Sequence, residues 1–154
     1  RWTLSSIALA NIVFGILLLI STYVGKENKQ NGRMKVWEAF FIGLFQCFSL
    51  ISGASRSGTA ITAALFLGFN KTDAAKFSLM LSIPTIAGAI FFSFLDIRYL
   101  DTDISILTTI TGFLTTFIFA YVSIDIFLKV VKSIGYTPFV IYRMLLGILI
   151  LWLI

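Results

Sequence analysis

A short run of small polar residues around one arginine is the part of this sequence best suited to bind an anion. Long apolar stretches flank this run, which we call the apex segment: Ser52-Gly53-Ala54-Ser55-Arg56-Ser57-Gly58-Thr59. A guanidinium binds two phosphate oxygens at once, and glycines let backbone N–H groups approach a ligand. Serine and threonine hydroxyls add further donors. The apex segment therefore predicts a phosphate-binding site made of Gly53, Ser55, Arg56, Ser57, Gly58 and Thr59.

Two explanations fit the central arginine if the flanking stretches are membrane helices. Small residues permit close helix packing, and an arginine can extend its charged end to the lipid headgroups. A central arginine costs about 2.5 to 3.5 kcal/mol even on the lenient insertion scale, so it rarely lacks a role. We therefore interpret Arg56 as an anion-binding residue. Gln46 is a weaker candidate, because it could orient Arg56 or serve only in helix packing.

The composition identifies the chain as an integral membrane protein. Of its 154 residues, 58% are hydrophobic and 12% are charged, and the mean hydropathy of +0.98 excludes a water-soluble globular domain. The net charge of +5 comes from basic residues spread over short loops, so it indicates membrane topology and no nucleic-acid-binding patch. A single cysteine, Cys47, and the lack of histidine exclude an internal disulfide and a Cys/His zinc site.

The hydrophobic pattern predicts an all-α polytopic membrane protein with about four transmembrane helices and one re-entrant helical hairpin. A single membrane domain, 1–154, is expected to contain spans at about 2–24, 70–95, 104–128 and 138–154. Loops 26–35, 71–76 and 129–132 are basic and 96–103 is acidic, so the basic loops belong in the cytoplasm. Residues 36–69 then enter and leave the membrane on one side, which places the apex segment in its outer half or at its outer surface.

Local signals predict two of the helix starts. Asn70 and Asp73 have the spacing of a capping box with shorter side chains, so a helix is expected to begin there. Pro138 is a good first-turn residue for the last helix. Pro84 lies inside a predicted helix and removes one backbone donor.

The apex segment also resembles a family signature. Residues 46–59 are similar to the second signature of the bacterial undecaprenyl-diphosphatases, the bacitracin-resistance family, whose usual form is Pro-Gly-Thr-Ser-Arg-Ser-Gly. The resemblance continues over nearly the whole chain, through Leu67-Gly68, Ala74-Ala75-Lys76-Phe77-Ser78, residues 83–89, residues 138–143 and Leu146-Gly147. The chain departs from the usual signature at Ser52, where proline is usual, and at Ala54, where threonine is usual.

This resemblance implies a bacterial plasma-membrane enzyme with an active site towards the outer face. It would hydrolyse undecaprenyl diphosphate to undecaprenyl phosphate and inorganic phosphate, recycle the lipid carrier of peptidoglycan synthesis and confer bacitracin resistance. Arg56 would be the catalytic arginine, with Ser55, Ser57 and Thr59 as supporting donors. A divalent cation, Mg²⁺ or Ca²⁺, would suit phosphate transfer, but no metal-ligand set is visible.

Family members are considerably longer, and their first half carries a glutamate-rich motif and a serine/histidine segment. Neither is present here, so we interpret the chain as the C-terminal half of such an enzyme, incomplete alone. Two alternatives stay open: a transporter or flippase that binds the polyprenyl phosphate without hydrolysis, and an inactive fragment. Re-entrant hairpins suit a transporter as well as a phosphatase. The sequence gives no oligomeric state.

Three other charged residues have simpler explanations than catalysis. Glu38 is favoured as an acid in a first helical turn. Asp125 is expected to pair with Lys129 at i,i+4. Arg143 either extends to the cytoplasmic interface or makes a structural contact within the bundle.

Overall fold

The structure, a computed structural model, describes residues 3–27, 29, 34–97 and 105–153. Six α-helices make up most of these residues. The helices are α1 Leu4–Val24, α2 Val36–Gln46, α3 Arg56–Phe66, α4 Lys71–Ile97, α5 Ile106–Ser133 and α6 Thr137–Trp152, and a short 3-10 helix, Cys47–Leu50, extends α2. Helices α1, α4 and α5 are long and apolar enough to cross a membrane, while extended α2 and α6 are shorter. The predicted all-α membrane fold class is confirmed. Most of the predicted acidic loop lies outside the described residues.

The two helix starts that local signals predict agree with the structure. The Asn70 and Asp73 side chains form a reciprocal cap, in which the Asp73 N–H donates to Asn70 Oδ1 and Asn70 Nδ2 donates to Asp73 Oδ2, both at 2.8 Å. Helix α6 begins at Thr137 with Pro138 in its first turn, and Pro84 lies within α4. Helix α5 continues to Ser133, five residues beyond the predicted end. The cap thus satisfies a free N–H group at the start of α4, while Pro138 in α6 has no N–H that needs a partner.

Helices α2 and α3 form a hairpin whose two open ends meet beside the end of α1. The Lys29 N–H, just beyond α1, donates to the carbonyl of Gly68 at 3.2 Å, and the Lys29 ammonium pairs with Glu38 in the first turn of α2. At the other end, a Cβ placed on Gly53 would lie 2.4 Å from the carbonyl oxygen of Ile7, in the first turn of α1. The hairpin therefore enters and leaves at one end of α1 and turns beside the other. Insertion of this hairpin into a bilayer from one side stays a prediction.

Small side chains let the hairpin pack closely into the bundle. Every residue of α3 from Gly58 to Leu65 is buried, and most of them are small, so α3 packs closely against α1, α2 and α4. Helices α1 and α6 also approach closely, because a Cβ on Gly147 would lie 2.6 Å from Ile12 Cγ1. Helix α5 contacts α4 and keeps most of its apolar side chains exposed. The interior of the bundle thus forms around α3, which carries the arginine of the apex segment.

Candidate functional site

The apex of the hairpin is a tight turn that ends where α3 begins. Ser55 is the N-cap of α3, and its Oγ accepts a hydrogen bond from the Gly58 N–H at 3.2 Å. Its φ of 69° is uncommon for a non-glycine residue, and Gly53 also has a positive φ, of 97°. The non-helical backbone therefore covers only residues 51–55, which we call the apex turn. The prediction of a non-helical apex over residues 52–59 is wrong because the serine cap starts the helix at Arg56.

The Arg56 side chain is exposed and lines a cavity of about 440 Å³ between the hairpin and α4, which we call the Arg56 cavity. The polar residues of its lining are Gln46, Ser49 and Thr85, together with Arg56 itself. The rest is apolar and includes Leu50, Leu81 and Ala89. The cavity therefore combines a cation with apolar walls. Gln46 lines the same cavity as Arg56, and its predicted effect on Arg56 stays a prediction.

The serines on either side of Arg56 line a different cavity. Ser55, Ser57 and Gly58 line a space of about 210 Å³ together with Arg143, which we call the Arg143 cavity. Successive residues of an α-helix point about 100° apart, so a helix that begins at Arg56 separates Arg56 from its neighbours. The structure thus does not gather all six predicted phosphate-binding residues around one space. Their individual roles stay predictions.

Thr59 and Gly53, like Ser55 and Gly58 in the cap, have polar groups engaged within the fold. Thr59 is fully buried, and its Oγ1 donates to the carbonyl of Arg56 at 2.9 Å. The Gly53 carbonyl accepts from Arg143 Nη2 at 2.8 Å. The first two N–H groups of α3, on Arg56 and Ser57, have no carbonyl within the helix to bind. They are the backbone donors best placed to bind an anion beside the Arg56 side chain.

Arg143 and Asn11 are the polar residues that the sequence analysis did not connect with the apex. Arg143 on α6 is buried, and its Nε donates to Asn11 Oδ1 on α1 at 2.8 Å. Its Nη2 donates to the carbonyls of Gly53 and Ala54, at 2.8 and 3.0 Å. Of the two explanations proposed for Arg143, the contact within the bundle is the observed one. An asparagine inside an apolar helix was the available signal, but spacing does not reveal a partner 132 residues away.

The two acidic residues considered, Glu38 and Asp125, lie in ion pairs. Glu38 is 2% exposed, pairs with Lys29, and accepts from the Lys35 N–H at 2.9 Å. It therefore caps α2 at the open end of the hairpin, far along the hairpin from the apex turn. The predicted i,i+4 pair is present, with Lys129 Nζ 2.6 Å from Asp125 Oδ2.

A divalent cation would suit phosphate transfer, and a protein site for it usually includes carboxylates. Within the ranges described, no three acidic or cysteine side chains come together. Nor does any acidic side chain in this part of the chain form a salt bridge with Arg56 or Arg143. Hydroxyls and carbonyls alone are a weak ligand set for Mg²⁺, which is usually bound through carboxylates and phosphates.

Comparison with known proteins assigns this chain to a family. The model of the family described as bacitracin resistance protein BacA matches residues 2–149. The chain is 41% identical over 148 residues to an undecaprenyl-diphosphatase of Alcanivorax borkumensis, a match covering 96% of this chain and 56% of that protein. A relative of the same name from Aliivibrio salmonicida is 44% identical over 151 residues, covering 96% and 55%. The chain spans about half the length of the curated relatives it matches. This protein belongs to the bacitracin resistance protein BacA family.

Proposed function

We propose that the gene product containing this chain is an undecaprenyl-diphosphate phosphatase. The observation that carries the proposal is the Arg56 cavity, where an exposed guanidinium at a helix N-terminus meets apolar walls. Such a cavity suits a ligand with an anionic head and a hydrocarbon tail, and the names of the relatives specify undecaprenyl diphosphate. The hydrolysis would recycle the lipid carrier for peptidoglycan synthesis and thereby confer bacitracin resistance.

The reaction requires water to form a bond to the terminal phosphorus while the bond from that phosphorus to the bridging oxygen breaks. The products are undecaprenyl phosphate and inorganic phosphate. Arg56 would hold two oxygens of the diphosphate and offset the negative charge that develops on the phosphoryl oxygens during transfer. The free N–H groups at the start of α3 would bind further phosphate oxygens.

The location of the site within the bilayer is part of the same proposal. Asn11, which reaches the apex through Arg143, lies 13 residues from the end of α1 at Val24 and 7 from its start at Leu4. At 1.5 Å per residue, these distances are about 20 and 10 Å. With the basic loop after α1 in the cytoplasm, the apex turn would lie in the outer half of the bacterial plasma membrane.

Phosphate release from undecaprenyl diphosphate in detergent micelles tests the proposal. We expect Arg56→Ala to lower kcat about 10² to 10³-fold, because removing one preorganised donor costs that much in other enzymes. Lys132→Ala, which removes an exposed cation at the end of α5, is the matched control and should retain wild-type rates. Wild-type turnover that persists in Arg56→Ala would contradict the assignment. Lipid phosphate binding without any release would favour the transporter.

A further inference from the structure

Arg143 is a buried cation whose hydrogen bonds hold two neighbouring carbonyls of the apex turn. It is 8% exposed, and one nitrogen, Nη2, donates to both Gly53 and Ala54. Its Nε donates to Asn11 on α1, so three separate parts of the chain meet at one guanidinium. Burial of a charge without an ionised partner is costly, which indicates that this arrangement serves more than packing.

The apex turn is the part of the fold that most needs such support. Ser55 has a φ of 69°, which costs a non-glycine residue energy and persists only where the surroundings enforce it. The Ala54 carbonyl belongs to the peptide plane that joins Ala54 to Ser55, so its direction and the φ of Ser55 are linked. Fixing that carbonyl therefore helps to fix the orientation of the Ser55 cap and of the helix start at Arg56.

We propose that Arg143 is a positioning residue that, oriented by Asn11, holds the apex turn so that α3 presents Arg56 to the phosphate. The effect on turnover rests on the phosphatase function proposed above, while the effect on the turn does not. Arginine suits this task because its rigid planar fork donates in fixed directions, whereas a lysine ammonium is a single flexible point charge.

Small residues make room for this guanidinium beside the start of α3. A Cβ on Gly58 would lie 2.8 Å from Arg143 Nη1, and one on Gly15 would lie 3.7 Å from Arg143 Cβ. Nη1 is buried and has no hydrogen-bond partner among the described residues. With no acidic partner in that part of the chain, the charge of Arg143 also raises the positive potential at the N-terminus of α3.

Arg143→Lys distinguishes the effect of hydrogen-bond geometry from the effect of charge, because it keeps the positive charge and removes the planar guanidinium. The turn is reported by the amides of Ala54, Gly58 and Thr59, whose hydrogen bonds all lie within it or its cap. We expect these amides to exchange about tenfold faster in Arg143→Lys than in the wild type. Hydrogen exchange with mass spectrometry on the complete gene product in micelles measures the rates. Arg56→Ala is the control, and its apex amides should exchange at wild-type rates. Asn11→Ala should accelerate the exchange of the same amides by a smaller factor. If Arg143→Lys does not fold, the exchange rates of Asn11→Ala decide whether Arg143 holds the turn.

Kinetics give a second readout. We expect Arg143→Lys to lower kcat about 10²-fold with a smaller change in KM, because a displacement of about 1 Å at a reacting group costs that much. Wild-type exchange at the apex in both folded variants would overturn the inference. So would full activity in Arg143→Lys, since charge alone would then suffice. Failure of Arg56→Ala to lower activity would instead refute the phosphatase proposal and leave the exchange result to decide the role of Arg143.

Discussion

Replacing Gly53 with alanine tests whether the apex turn depends on close backbone contact with α1. Gly53 has a φ of 97°, and an added Cβ would lie 2.4 Å from the carbonyl oxygen of Ile7. A left-handed backbone costs a non-glycine residue about 1 to 2 kcal/mol. Relief of the clash would move the turn and break the hydrogen bond from Arg143 to the Gly53 carbonyl, and a bond from a charged donor contributes about 1.5 to 3 kcal/mol. We therefore expect Gly53→Ala to lower the free energy of unfolding by about 2.5 to 5 kcal/mol.

Gly135→Ala is the matched control, because Gly135 is buried with a similar φ of 83° but leaves van der Waals room for an added Cβ. The nearest atom to its added Cβ would be Lys71 Cδ, at 3.5 Å on a flexible side chain. Only the backbone cost applies there, so we expect a loss of about 1 to 2 kcal/mol. Denaturant unfolding of both variants in the same detergent measures the difference. Equal losses would refute the reasoning, because neither the Ile7 contact nor the Arg143 hydrogen bond would then contribute.

Three further changes test contacts elsewhere in the structure. Lys29→Met removes the partner of the buried Glu38 and should lower the free energy of unfolding by about 3 kcal/mol. This value is the lower end of the range for broken buried pairs, because Lys29 is partly exposed. Asp125→Asn breaks an exposed pair and should change the free energy of unfolding by less than about 1 kcal/mol, so similar losses would contradict the role of burial. Tyr136→Phe removes a 2.7 Å hydrogen bond to a backbone carbonyl of α4 and should cost about 1 kcal/mol at neutral pH. Burial raises the pKa of the Tyr136 hydroxyl. The contribution of this hydroxyl to the free energy of unfolding should therefore be constant below pH 9 and decline as the pH rises above about 10, where unfolded tyrosine ionises. Unfolding of wild type and variant at pH 7 and pH 11 checks this, and an undiminished difference at pH 11 would contradict it.

Composition and local patterns determined the membrane class and two of the helix starts of this protein. Hydropathy depends only on the residues present, so the all-α membrane fold followed from the sequence. The Asn70 and Asp73 cap and the first-turn Pro138 act through neighbours three or fewer residues away, and both lie where the sequence predicted. The apex segment was likewise visible, because an arginine among small polar residues is rare between apolar stretches.

Tertiary structure decided which of those polar residues share a cavity and what holds them. Arg56 and Ser57 line different cavities because α4 packs beside Arg56 and α6 packs beside Ser57, and both helices are distant in sequence. The pairing of Arg143 with Asn11 depends on the packing of α6 against α1, which no local pattern encodes. Side chains far apart in sequence meet only when whole helices have packed, so the sequence identified the residues of the apex while the fold determined how they are arranged and supported.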